Sequence, residues 1–336
     1  MIRVALDAMG GDNAPHAEID GALQAIEAYP DLQVQLVGRP DTLSAVLGDR
    51  AAAAGARLVI TPASQVIGMD EKPLAAVRSK RDSSIVVGLT LQKRGESDAF
   101  LSAGNTGAVL AASTILLGLH DGVERASVAT LFPTADEPVI LLDGGANVDC
   151  SARELAGFAL LGTVYVREIF GRSNPAIGLL NVGEEEEKGN AVVREANRLL
   201  RAMPGIRYIG NIEGRDILAG HEKHGAVDIV VCDGFVGNIV LKFYESVARL
   251  IVRIVKRQAP DILEREDVRR VFRTLDYAEY GGAPLLGIKG VSIISHGASG
   301  PNAIKNALRV AMQAVRANLS ERIRQELAQR PTAASA

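Results

Sequence analysis

The sequence predicts an α/β protein, a three-layer α/β/α fold whose largely parallel sheet is covered by helices on both faces. Two observations carry this expectation. Short aliphatic and β-branched runs alternate with longer segments of helical period, which is how strand, crossover helix, strand reads in sequence. The short runs also end repeatedly in loops rich in Gly, Asn and Asp that pass directly into helical segments. With 336 residues and 47% apolar content, the chain can bury a substantial core.

Taken in order, the strand-type runs are 2–6, 34–37, 58–60, 99–101, 139–142, 177–180, 207–209, 229–231 and 291–294. Helical patterns occupy 15–28, 41–47, 72–94, 106–117, 151–169, 191–202 and 302–319. The longest nearly apolar run, 108–119, falls short of the roughly 18 residues that span a bilayer, so it reads as a buried helix. One region departs from the rhythm. A long helical pattern, 237–258, is followed by Pro260 and a charged segment, and together they read as an amphipathic hairpin projecting from the sheet. Val247, Ile251, Ile254, Val255 and Gln258 share one side of its first arm, and Arg249, Arg253, Lys256 and Arg257 the other. Such a helix serves either as a dimer or core helix with a solvated basic face, or as a surface for anionic lipid or an acidic partner. No linker separates independent domains. The expectation is a single domain over 1–330, with the hairpin excursion at about 237–278 and a disordered tail at 331–336.

Composition narrows the function. A net charge of −3, the absence of Trp and an aromatic content of 4% argue against a nucleic-acid binder. Two cysteines make no disulfide framework and point to a reducing compartment. The opening MIRVALD is too short for the apolar region of a signal peptide, so no secretion is expected.

The informative feature is a loop design that occurs seven times after strand-type runs: LDAMGGDNAP, LSAGNTGAV, LLDGGANVD, NVGEEEEKGN, GNIEGRD, CDGFVGNIV and SHGASGPNA. Glycines let backbone N–H groups approach a ligand, and the helix N-termini behind them carry partial positive charge. Loops of this kind gathered along one rim make an anion pocket with few formal cations. Neither a Walker P-loop nor a clean G-x-G-x-x-G after the first strand occurs. The candidate substrate- and anion-binding residues are Gly10, Gly11, Asp12, Gly104, Asn105, Thr106, Gly107, Asp143, Asn147, Asn181, Asn211, Asp233, Gly237 and His296.

In this order, DAMGGD, GNTGA, DGGAN, NVGEEEEKG, GNIEG, DGFVGN, EYGGAPLLG and SHGAS resemble the bacterial acyl-acyl-carrier-protein:phosphate acyltransferases of phospholipid synthesis, over about 2–319. The resemblance implies transfer of a fatty acyl group from the carrier-protein thioester to inorganic phosphate. It also implies a fold similar to isopropylmalate dehydrogenase and phosphotransacetylase, a homodimer, and a cytoplasmic protein peripherally associated with the membrane. There, a membrane-embedded glycerol-phosphate acyltransferase takes the product.

This chemistry needs no strong general base, because much of phosphate is already a dianion near neutral pH. It needs a held dianion, a stabilised oxyanion and a leaving thiolate. Lys188 suits the first or third demand, and Asn238 suits donation to the carbonyl oxygen. They are the expected catalytic pair, set against a surface lysine among acidic neighbours and a helix N-cap. One of the four glutamates before Lys188 is expected to hold it, and their charge to favour the following helix. His296 is either a proton donor to the thiolate or a loop anchor. Asp7, Asp12, Asp143 and Asp233 either gather around Mg²⁺ or serve as loop and cap acceptors, and neither metal nor cofactor is expected to be required. Cys150 is a conceivable acyl carrier, though no histidine adjoins it and direct attack makes it unnecessary. Cys232 reads as buried and inert.

Arg249, Arg253, Ile254, Lys256 and Arg257 are the expected contacts for acidic carrier protein or anionic membrane. Rival readings are a nicotinamide-dependent dehydrogenase, an acyltransferase using coenzyme A thioesters, and a non-catalytic membrane scaffold.

Overall fold

The computed structural model describes residues 1–134, 137–275 and 277–329, with 274, 275, 277 and 278 as backbone only; the expected tail at 331–336 lies outside the described residues. The strands are β1 (Ile2–Asp7), β2 (Leu32–Gly38), β3 (Leu58–Pro62), β4 (Ala99–Ser102), β5 (Ser127–Val128), β6 (Thr130–Phe132), β7 (Val139–Leu142), β8 (Ala176–Leu180), β9 (Arg207–Ile212), β10 (Ile229–Val231), β11 (Ala283–Leu286) and β12 (Ser292–Ile294). The helices are α1 (His16–Ala28), α2 (Pro40–Leu47), α3 (Arg50–Ala54), α4 (Pro73–Ser79), α5 (Ser84–Lys93), α6 (Thr106–Leu116), α7 (Ala152–Phe170), α8 (Ala191–Ala202), α9 (Asp216–Ala219), α10 (Gly234–Gln258), α11 (Glu266–Leu275), α12 (Tyr277–Tyr280), α13 (Pro301–Arg316) and α14 (Leu319–Ala328).

A sequence without a visible linker folds as two compact units: Met1–Ala126 together with the chain from Gly281 onward, and Ser127–Tyr280. In the first, six strands run in the order β3-β2-β1-β4-β12-β11. All neighbours are parallel except β11, which is antiparallel to β12. The side chains of the central strands β1, β4 and β12 are buried on both faces, as Val4, Leu6, Phe100 and Ile293 illustrate at 0% exposure. That is why these strands read as continuous apolar runs.

The second unit orders β6-β7-β10-β8-β9, parallel throughout except for the edge strand β6. Val230 pairs with Leu141 on one side and Gly178 on the other. α7 covers this sheet. Its start is a full capping box, in which Ser151 Oγ accepts from Glu154 N–H at 3.2 Å and Glu154 Oε2 accepts from Ser151 N–H at 2.7 Å.

All nine predicted strands form, and three further ones join them. β5 and β6 are too short to show a period, and β11 (Ala283–Leu286) is a four-residue strand within EYGGAPLLG. The single predicted helix over 72–94 is two helices. Asp82 turns back to bond Ser64, and Ser83 caps α5 by accepting from Val86 N–H. The 302–319 pattern likewise ends at Arg316, and Asn318, at φ 52°, turns the chain into α14.

The hairpin is present as α10, a short turn at Pro260–Glu264, and α11. Its first arm begins at Gly234, three residues before the predicted start. The distal half of α10 is exposed on both sides of the wheel, and Leu250, Ile251 and Ile254 keep 52%, 41% and 45% of their surface.

Candidate active site

The seven Gly/Asn/Asp loops all follow the carboxyl ends of parallel strands, three in the first unit and four in the second. That is the end at which open α/β sheets bind ligands. The loops are therefore divided between two sheets instead of lining one.

In the first unit the rim is built around Asp7, at the end of β1. Its carboxylate accepts from Ser102 Oγ at 2.7 Å and from Met9 N–H at 3.1 Å, and Ser102 Oγ accepts in turn from Gly104 N–H at 3.0 Å. Gly10 is needed here, since a Cβ would overlap the Asp7 carboxylate and lie 2.8 Å from Gly104 N. Asp12 is exposed and its N–H donates to Gly297 O at 2.7 Å, joining the loops after β1 and β12. Asn105 caps α6 through Ala108 N–H and donates to the carbonyls of Gly68, Met69 and Glu71. Thr106 is exposed, and Gly107 packs against Pro73. His296 is exposed and its Nδ1 accepts from Ala298 N–H, the loop-anchor arrangement.

Glu18 was missed by the sequence reading. It lies on the buried face of α1 with Ala22 and Ala25, 1% exposed, and its Oε2 has no hydrogen-bond partner. An acid interrupting an apolar stripe was the available signal. Burial, reinforced by the charge of Asp7, pushes its carboxyl up to about 8, and burial also raises Asp7 against the bonds from Ser84 and Ser102. Between the ordinary value of 4.5 and about 8 the unfolded chain has lost the Glu18 proton while the folded chain keeps it, so stability falls as pH rises through that window and levels off above it. Glu18→Gln is expected to flatten that fall and to be roughly 1–3 kcal/mol more stable than the parent at pH 8, with little difference at pH 4.5. Thermal melts across pH check this; parallel curves would show that Glu18 is not held protonated.

In the second unit Asp143 holds the loop after β7. It is fully buried, and its oxygens accept from Ser127 Oγ, Val128 N–H, Asn147 N–H and Asn147 Nδ2. Burial raises its pKa against those bonds. Asp143 and Asn147 thus shape the loop, with their polar atoms turned inward. Asp233 caps α10, accepting from Val236 N–H at 2.8 Å. Its place as cap leaves Asn238 free of that role. Asn238 is exposed, and its side chain lies against Gly145, where a Cβ would sit 3.1 Å from Asn238 Cβ. Gly237 and Gly234 let the first turn of α10 lie directly on this loop, and Gly234 N–H donates to Asn147 O at 2.7 Å.

The loop after β8 is tied at both ends by Asn181, which accepts from Val182 N–H at 2.8 Å and donates to Lys188 O at 3.1 Å. Asn211 reaches in from β9 to donate to Glu185 O at 2.8 Å, and its buried Oδ1 has no partner. Lys188 is exposed, its stem passing over Gly183, and its ammonium makes no ion pair among the described residues. The glutamates do not hold it. Glu184 faces Arg215, His221 and Lys223 at 3.9, 3.7 and 3.8 Å, and Glu186 pairs with Arg201 at 3.0 Å. The following helix, α8, is capped by Asn190 instead, through Val193 N–H.

Asp7 and Asp12 belong to the first unit, Asp143 and Asp233 to the second. Among the described residues, the cluster that approaches metal-ligand spacing is Glu184, Asp216 and His221. Yet His221 Nδ1 accepts from Lys223 N–H at 3.2 Å, which leaves the proton on Nε2, facing Glu184. A metal-bound histidine ordinarily donates from its other nitrogen, so His221 is not set as a ligand, and Glu184 is engaged by Arg215 and Lys223 instead. Cys150 is half-buried, and burial with nearby Asp143 and Glu154 pushes its thiol up to about 12. It therefore stays protonated and weakly nucleophilic. Cys232 is buried and raised by the same cause.

The loop bearing Lys188 and the helix bearing Asn238 border one hollow of about 500 Å³, whose wall includes Asn181, Gly189, Asp233 and Val236 but neither Lys188 nor Asn238 itself. With that geometry in place, comparison with known proteins is informative. The model of a family described as "Fatty acid synthesis protein" matches residues 2–322. A phosphate acyltransferase from Heliobacterium modesticaldum is 47% identical over 334 residues, covering 97% of this chain and 98% of that protein. The chain belongs to the phosphate acyltransferase family. It is an acyltransferase of fatty acid and phospholipid synthesis. Among solved structures, a branched-chain phosphotransacylase from Enterococcus faecalis aligns with a TM-score of 0.61 at 16% identity, covering 94% of this chain and 99% of the other. A 4-hydroxythreonine-4-phosphate dehydrogenase from Klebsiella pneumoniae aligns at 0.52 and 15%, covering 94% and 98%. These likenesses establish the α/β fold shared with phosphotransacylases and dehydrogenases.

Proposed function

We propose that this phosphate acyltransferase moves a long-chain acyl group from an acyl-carrier-protein thioester to inorganic phosphate, forming acyl phosphate for phospholipid synthesis. The observation that carries the reading is a hollow at the carboxyl end of a parallel sheet, bordered by the loop of Lys188, which makes no ion pair among the described residues, and by the helix of the exposed Asn238.

A phosphate oxygen attacks the thioester carbonyl, giving a tetrahedral oxyanion; collapse breaks the C–S bond, and the thiolate takes a proton from solvent or a nearby donor. Asn238 donates to the oxyanion, Lys188 holds the phosphate dianion or stabilises the thiolate, and the N-terminus of α10 adds its dipole. No covalent acyl-enzyme is needed, which agrees with the protonated state of Cys150. Neither metal nor cofactor enters these steps.

The uncovered apolar and basic sides of α10 support a homodimer and contact with acidic carrier protein or the anionic inner face of the membrane, where a glycerol-phosphate acyltransferase would accept the product. No helix among the described residues is long and apolar enough to cross a membrane. The test is consumption of palmitoyl-carrier-protein with and without phosphate. Phosphate-dependent acyl phosphate is expected; turnover that ignores phosphate, prefers coenzyme A thioesters, or appears only as nicotinamide reduction would replace the reading. Liposome co-sedimentation of Arg253→Glu with Lys256→Glu, alongside carrier-protein KM, checks the hairpin; no change in either removes it from the scheme.

A further inference from the structure

The hollow beside the loops after β7, β8 and β10 is lined largely by aliphatic side chains, including Val148, Leu155, Leu180, Val182, Val193 and Val236. Two of them are hard to account for by folding alone. Val182 is 80% exposed and Val148 58%, each on a loop where a polar residue would cost nothing. Exposed aliphatic groups clustered around a concavity mark a binding surface. The volume, about 500 Å³, lies within the usual range for small-molecule sites.

Three polar side chains of the wall are engaged by the loops themselves, and Asp149 is exposed. Asn181 gives both ends of its amide to its own loop, and Asn190 Oδ1 and Asp233 Oδ1 cap α8 and α10. A pantetheine arm, with two amides that need partners, would find few there. A hydrocarbon needs none. We propose that this hollow holds the aliphatic chain of the acyl donor, walled by the loop that carries Lys188 and the helix that carries Asn238. The assignment rests on the proposed acyl transfer and adds where chain length is measured.

Each buried methylene is worth about fourfold in binding, so a modest change in the wall alters preference between donors. The experiment compares KM and kcat for octanoyl, lauroyl and palmitoyl carrier protein in the parent, Val182→Asp, Val193→Phe, and Val59→Phe on β3 of the first unit as control. Val182→Asp should raise KM for the palmitoyl donor at least ~10-fold while changing the octanoyl value little. Val193→Phe should move the preferred donor to a shorter chain, and the control should match the parent. Should Val193→Phe fail to fold, Val182→Asp, at an exposed loop position, still decides the matter. A parent-like chain-length profile in the variants overturns the assignment, as does an equal KM increase for all three donors, which would put the pantetheine arm in the hollow. If the parent itself forms no acyl phosphate, the proposed function fails; if it does and the profiles are unchanged, only this assignment fails.

Discussion

Replacing Lys188 by alanine is expected to lower acyl phosphate formation by about 10²–10³-fold, and Asn238→Ala by a comparable factor, with the fold intact in both. The expectation combines two properties. Both side chains are exposed, and Lys188 makes no ion pair among the described residues, so truncation costs little stability, within about 0.5 kcal/mol for surface positions. Each also offers a donor where charge develops during acyl transfer, and such donors are worth about 3–4 kcal/mol of barrier. The kinetics separate the two roles open to Lys188. A raised KM for phosphate at constant kcat assigns it to holding the nucleophile, whereas equal losses in kcat and kcat/KM assign it to the leaving thiolate. Near-parent rates in both variants, with melting temperatures unchanged, would overturn the catalytic assignment.

Gly237→Ala is expected to disable the second unit from within. The added Cβ would overlap the backbone carbonyl oxygen of Asp143, and that oxygen cannot swing aside as a side chain would. Asp143 is itself anchored by bonds from Ser127, Val128 and Asn147, so the strain is passed to the start of α10 and to Asn238. Overpacking of this kind costs about 1–3 kcal/mol or more. Both a lower melting temperature and lost activity at temperatures where the variant stays folded are expected. Gly157 in α7 makes the contrast, because a Cβ there meets nothing within 4 Å. Gly157→Ala should stabilise by about 0.5–1 kcal/mol and leave activity unchanged. If Gly237→Ala behaves like Gly157→Ala, the close approach of α10 to the β7 loop is not required.

Much of the architecture is legible in the chain because parallel strands buried on both faces must be apolar throughout. Runs such as 139–142 and 229–231 announce themselves for that reason. The antiparallel strands do not. β6 and β11 are short and carry no period, and their assignment depends on a neighbour that sequence does not name. The candidate site divides in the same way. Lys188 stands out because one cation follows four anions, but which groups those anions meet is set by residues 15 to 39 positions further on, at 201, 215 and 223. Likewise Asp143 and Asn147 look like ligand groups in DGGAN, and only packing shows that their polar atoms satisfy each other.

By itself the sequence determined the alternation of strand and helix, the glycine-rich loop after each of seven strands, and membership of an acyltransferase family, because local periodicity and ordered motifs do not depend on distant contacts. Only the tertiary structure decided that the strands divide between two sheets, that Glu18 lies buried beside Asp7, and that the glutamate run pairs away from Lys188. Burial and ion pairing are relations between residues far apart in the chain, and their energies exist only once folding has brought those groups together.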